Sequence, residues 1–131
     1  FPSFDDELKQ AMAEETQLLF LHILRNNLSV KEFLTADYSF VNPALAKHYG
    51  VSSQGDGFEK VSLADTPRRG LLSHASILTL TSTPTRTSPV LRGKWILENV
   101  LGIKAPEPPA GVPNLDENPE LDSSASLREQ L

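Results

Sequence analysis

Residues 70–82, GLLSHASILTLTS, decide the fold class of this chain. Leu71, Leu72, Ala75, Leu78 and Leu80 keep helical spacing, although the β-branched Ile77, Thr79 and Thr81 would also suit a strand. Read as a helix between Gly70 and Ser82, the stretch leaves no secure strand elsewhere. The expectation is then an all-α fold of about five helices, with a proline-rich extended strap and a short C-terminal helical stub.

Before this stretch, residues 3–27 read as a long amphipathic helix. Ser3 or Asp5 supplies the N-cap, and Asp5, Asp6 and Glu7 lie where the helix dipole favours acids. Leu8, Met12, Leu19, Phe20, Ile23 and Leu24 form its apolar face, widened by Leu18 and Leu21, while Lys9, Glu14, Glu15 and Arg25 are assigned to water. Asn26 and Asn27 close it. Ser29 and Glu32 have capping-box spacing, which predicts a short helix over 30–35 with Val30, Phe33 and Leu34 turned inward. Residues 37–41 read as a connection. Asn42 and Pro43 open a helix that runs to Tyr49 and stops at Gly50. Residues 52–57 are a loop by composition, and Phe58, Val61 and Leu63 alternate too weakly to secure a strand.

After it, Pro84 and Pro89 bracket a polar loop, and Ser88 with Pro89 starts a helix to Leu101 that Gly102 ends. Val90, Leu91, Leu97, Val100 and Leu101 are its expected buried face, with Trp95 as a large anchor. Five prolines within residues 104–119 predict a polyproline-like strap. Ser126 and Glu129 then open a helix that is cut short. The expected organisation is a helical domain over 1–103, a proline-rich acidic linker or strap over 104–122, and a truncated helix over 123–131. The start at Phe1 and the stop inside a helix-like stretch predict a piece of a longer chain.

The composition narrows the chemistry. With 131 residues, of which 39% are hydrophobic and 22% charged, one compact domain with or without a tail is expected. There is no cysteine, which excludes a disulfide scaffold, a thiolate zinc site, a cysteine nucleophile and thioether attachment of haem within these residues. No apolar run approaches the roughly 20 residues that span a bilayer. The net charge of -5 conceals an asymmetry: residues 60–104 hold 7 basic and 2 acidic side chains, between ends that are each acidic. Mutual neutralisation across the fold and a docking surface for an acidic partner both fit this pattern. Nucleic acid does not, because the basic segment lacks the interleaved aromatics that stack on single strands.

Two kinds of site candidate follow from the residues. In the loop before Pro89, exposed N–H groups, a helix start and nearby cations converge on a place where an anion could bind, making Thr85, Arg86, Thr87, Ser88 and Arg92 the anion-binding candidates. In the competing structural reading, Arg86 ties the loop to backbone carbonyls or to Glu98 while the hydroxyls cap helices. Arg68 and Arg69 extend the same basic surface or are simply solvated. The acids Asp37, Asp56 and Asp65 are scattered without the spacing of an acid/base pair, and no phosphate loop, dinucleotide fingerprint or metal-ligand spacing occurs. No catalytic and no metal-binding residues are assigned.

The segments LAKHYG at 45–50, GLLSHASILT at 70–79 and TPTRTSPVLRGKW at 83–95, with the proline strap at 102–113, resemble the planctomycete-type cytochrome c-associated domains of unknown function, found in large exported bacterial proteins. The acidic first helix resembles the end of one family domain, to about residue 69, and the chain from about 70 resembles the start of the next. In relatives a helix such as 127–131 leads on to a Cys-x-x-Cys-His haem-attachment motif, which is missing here. The resemblance therefore implies haem c in the parent protein or a partner and none within this chain. It also implies an exported, periplasmic or cell-surface location, a c-type haem domain as partner, and His48 and His74 as candidate axial ligands. The first functional reading is a non-catalytic scaffold or interaction module. The second is an anion or carbohydrate-ligand-binding domain using the Arg86 loop, and the third is part of an enzyme acting on an extracellular polymer.

Overall fold

The computed structural model describes residues 4–84 and 86–104. Helix α1, Asp6–Arg25, begins where the Asp5 carboxylate accepts the Leu8 N–H at 2.8 Å, with Asp6 and Glu7 in its first turn. Helix α2 is one turn, Glu32–Thr35, and strand β1, Tyr38–Val41, follows. The Asn42 side chain accepts the Leu45 N–H at 2.9 Å to start α3, Pro43–Tyr49, which Gly50 ends in the left-handed conformation. Strand β2 is Glu59–Ser62. A 3₁₀ turn at Leu71–Ser73 leads into α4, Ala75–Leu80, and α5, Pro89–Trp95, continues as a π turn over Ile96–Val100.

The all-α expectation is overturned. Strands β1 and β2 pair antiparallel, Tyr38 opposite Ser62 and Val41 opposite Glu59, so the fold mixes five helices with a two-stranded sheet among the described residues. The strand at 38–41 escapes a hydrophobic alternation test because its inward residues are Ser39 and Val41, while Tyr38 and Phe40 are half-buried on the other face. The 70–82 stretch is α-helical only from Ala75 to Leu80, with a 3₁₀ turn at Leu71–Ser73 before it.

One α1 stripe, Leu8, Met12, Glu15, Leu19 and Ile23, is buried along its length. Its N-terminal part joins Val41, Leu45, Ala46 and Ala75 in a core. Its C-terminal part joins Ala36, with Phe33, Tyr38 and Phe40 packed around it. Phe20, Leu24, Val30 and Leu34, all expected inside, are exposed instead, because α2 is too short to lay a second helix against that side. Val90, Leu91 and Leu101 are also exposed, since among the described elements α5 packs mainly on its own π extension. The predicted strap beyond Lys104 and the stub at 123–131 lie outside the described residues.

Gly70 fixes how the chain re-enters the core. Its φ is +50°, and its N–H donates to the Ala36 carbonyl at 2.9 Å. A Cβ there would come within 2.7 Å of the Leu34 carbonyl carbon, closer than real side chains tolerate.

Candidate functional site

Two features carry chemistry: a buried polar joint and an open groove beside it. The joint is centred on Glu15, which is fully buried although its residue type assigned it to water. It lies three residues after Met12 and four before Leu19, on the apolar stripe itself, and that spacing is the signal that marks it. Ser39 donates its hydroxyl to Glu15 Oε1 at 2.5 Å, and Tyr49 donates to Oε2 at 2.6 Å. The Tyr49 oxygen in turn accepts the Ala75 N–H at 2.8 Å, satisfying the first amide of α4. His74, 1% exposed, places Nδ1 3.0 Å from Thr16 Oγ1, which is itself 2.8 Å from Ser76 Oγ.

Among the described residues His74 Nε2 has no hydrogen-bond partner, and it lies 3.8 Å from Glu15 Oε1, too far for a hydrogen bond. Burial raises the Glu15 carboxyl to about 7 against the Ser39 and Tyr49 hydrogen bonds and the Arg68 charge, all of which favour its anion. His74 is lowered to about 4, first by burial and then by the Arg68 charge. The Tyr49 hydroxyl is pushed far above its usual range by burial and by the facing Glu15 charge. The result is that between about pH 4 and pH 7 the pair holds one proton, on Glu15, with a neutral imidazole opposite. Sealed from solvent, the pair can store a proton and lock elements together, but it cannot touch a substrate.

Arg68 links the joint to the groove. Its guanidinium lies 3.9 Å from the Tyr49 ring centroid, and Nη1 donates to the Ser73 carbonyl at 2.6 Å. Arg69 instead turns back on its own loop, donating to the carbonyls of Leu63, Ala64, Thr66 and Arg68. The groove encloses about 680 Å³ between the start of α1, the end of α3, α4 and the turn before α5. Phe4, Leu8, Ala75 and Leu78 form its apolar floor, Arg68 and Arg86 bring guanidinium groups to it, and His48 brings an imidazole. The turn is closed by a bridge between Ser82 and Thr87 and by Thr83, whose N–H and hydroxyl both donate to the Arg86 carbonyl, at 2.9 and 2.8 Å.

The candidates named from sequence therefore separate. His48, Arg86 and Thr87 meet at the groove. His74 is sealed in the joint. Ser88 caps α5 by accepting the Leu91 N–H at 3.3 Å, and Arg92 donates from Nε to Thr81 Oγ1 at 3.2 Å. Thr85 lies outside the described residues. Glu98, one partner considered for Arg86, faces Lys94 at 3.9 Å. Of the remaining ligand types, Met12 is a core residue and His22 packs edge-on against Tyr38 at 5.6 Å.

Residues 1–51 match the family model PSD4, a protein of unknown function (DUF1592), and residues 68–131 match PSCyt3, a protein of unknown function (DUF1588). Both matches fit the planctomycete cytochrome-associated family. No curated protein and no solved structure matches the chain. The joint takes on a new meaning in these terms. Glu15, Thr16, Ser39 and Tyr49 belong to the PSD4 segment; Arg68, His74, Ala75 and Ser76 belong to the PSCyt3 segment. The two segments share partly buried hydrogen bonds, between Tyr49 and the Ala75 amide and between Thr16 and both His74 and Ser76, and, through Ala75, one apolar core. Haem c, which the family resemblance implies, does not fit these residues as a group held by this chain alone. Thioether attachment needs cysteine, His74 is sealed, and His48 is exposed at the rim of an open groove. No helix among the described residues is long and apolar enough to cross a membrane.

Proposed function

We propose that this chain is a non-catalytic scaffold and interaction module of an exported cytochrome-associated protein, supporting a c-type haem domain that lies outside it in the same polypeptide or in a partner. The single observation that carries this reading is the buried Glu15 joint, which fastens the PSD4 segment to the PSCyt3 segment. A module built this way presents the second segment from a rigid base, as positioning a neighbouring domain requires. Its best-formed acid/base pair is closed to solvent, in keeping with a structural role.

The test uses the native protein that contains this sequence. The expected result is a Soret band that survives acidic acetone extraction, the mark of covalent haem, and a haem-domain melting midpoint lowered by Glu15→Ala. Absence of covalent haem, or a haem-domain midpoint that ignores the joint, would overturn the proposal. In the same protein, His48→Ala alters the haem spectrum only if that side chain is a ligand.

A further inference from the structure

We infer that the groove floored by Phe4, Leu8 and Leu78 binds an amphipathic carboxylate, whose anionic head meets Arg68 and whose apolar body lies along that floor. The volume of about 680 Å³ is within the usual range for small-molecule clefts, roughly 300 to 1,000 Å³. Such sites draw affinity from apolar walls and orientation from a few fixed polar groups. Arg68 is such a group. Stacked on Tyr49 and bonded to the Ser73 carbonyl, it is already ordered, so little side-chain entropy is lost when an anion arrives. A guanidinium carries five N–H donors, and one is given to Ser73, which leaves the fork able to pair with a carboxylate.

Charge complementarity selects the head group. None of the described residues lining the groove is acidic, while Arg68 and Arg86 both reach it. The floor selects the body. A small inorganic anion would leave Phe4, Leu8 and Leu78 wet, and a nucleic-acid strand would find just two rings, Phe4 and the His48 imidazole, among the described lining residues. An organic acid with an apolar ring or chain satisfies both faces at once.

The test titrates the full chain calorimetrically with 2-naphthoate at about pH 8, where the acid is ionised, using 2-naphthylmethanol, acetate and inorganic phosphate as comparison probes. The expected result is saturable binding of 2-naphthoate at one site, with each comparison probe at least about tenfold weaker. Arg68→Ala weakens 2-naphthoate by about tenfold or more, and Arg68→Lys by less, because it keeps the charge and loses the fork. Leu78→Trp, which fills the floor, removes binding with an unchanged far-ultraviolet circular dichroism spectrum. Should Arg68→Ala fail to fold, Leu78→Trp and the neutral alcohol decide the matter. No saturation by about 5 mM, equal binding of the alcohol or of phosphate, or unchanged binding in the folded variants would overturn the inference.

Discussion

The joint around Glu15 and helix α5, the last helix among the described residues, are built on opposite terms. At the joint, α1, β1, α3 and α4 meet around the buried Glu15, Ser39 and His74, with Tyr49 half-buried, and a carboxyl group, two hydroxyls and a backbone amide are paired in series. Helix α5 has good local signals, Ser88 as cap and Pro89 in its first turn, yet Val90 and Leu91 are 62% and 45% exposed. Local signals start a helix; burial against other elements is what makes it hard to open. The stability of the described part should therefore be concentrated where the two family segments cross.

The sharpest way to break the comparison is Gly70→Ala. The substitution demands a positive φ from a residue with a Cβ and drives that Cβ into the Leu34 carbonyl, so a loss of at least about 3 kcal/mol is expected in urea unfolding. Gly93→Ala is the opposite case. Gly93 lies inside α5, where a Cβ meets nothing within 4 Å. Amide protection within α5 should rise by up to about 1 kcal/mol while the global transition stays nearly unmoved.

How far the sequence discloses this contrast depends on which force writes the signal. Caps are local, so Asp5, Asn42 with Pro43, Gly50, and Ser88 with Pro89 are legible and found in place. Glu15 and Ser39 are not legible by residue type, because each is a polar group whose burial depends on a partner distant in sequence. The same substitution of polar for apolar hides β1, and with it the sheet. Of the groove, His48, Arg86 and Thr87 are nameable in advance, whereas Arg68 becomes distinctive only once Tyr49 lies beneath it.

A second effect, of comparable size, is read from pH. Glu15 is raised from an ordinary value of 4.5 to about 7, so its contribution to stability is complete below about pH 4.5 and is lost as pH rises through 7. His74 is lowered from 6.5 to about 4, so its contribution is complete above about pH 6.5 and is lost as pH falls through 4. The two slopes oppose each other, and their joint contribution is flat between about pH 4.5 and 6.5, where folding only moves a proton from imidazole to carboxylate. Glu15→Gln should unmask the His74 limb, with stability rising by on the order of 3 kcal/mol from pH 4 to 6.5 relative to wild type. His74→Leu should unmask the Glu15 limb, with stability falling from pH 4.5 to 7. Parallel pH profiles in all three proteins would remove the pair from the account.

The smallest effect belongs to the exposed side. Lys94 and Glu98 are 3.9 Å apart with side chains 58% and 38% exposed, a geometry that salt and water screen. Lys94→Ala should change stability by no more than about 0.5 kcal/mol by thermal melting. A larger loss would mean that the α5 region is coupled to the core more tightly than its exposure implies.

Native-state hydrogen exchange, followed amide by amide, puts the shared core to the most direct test. Amides in the middle of α1, such as those of Glu15 and Leu19, and in the last turn of α4, such as that of Leu78, should open with one common free energy equal to that of global unfolding. Those of α5 should open well below it. Exchange from α4 at the lower α5 level while α1 remains at the global level would contradict the account, showing two segments that touch without folding as one.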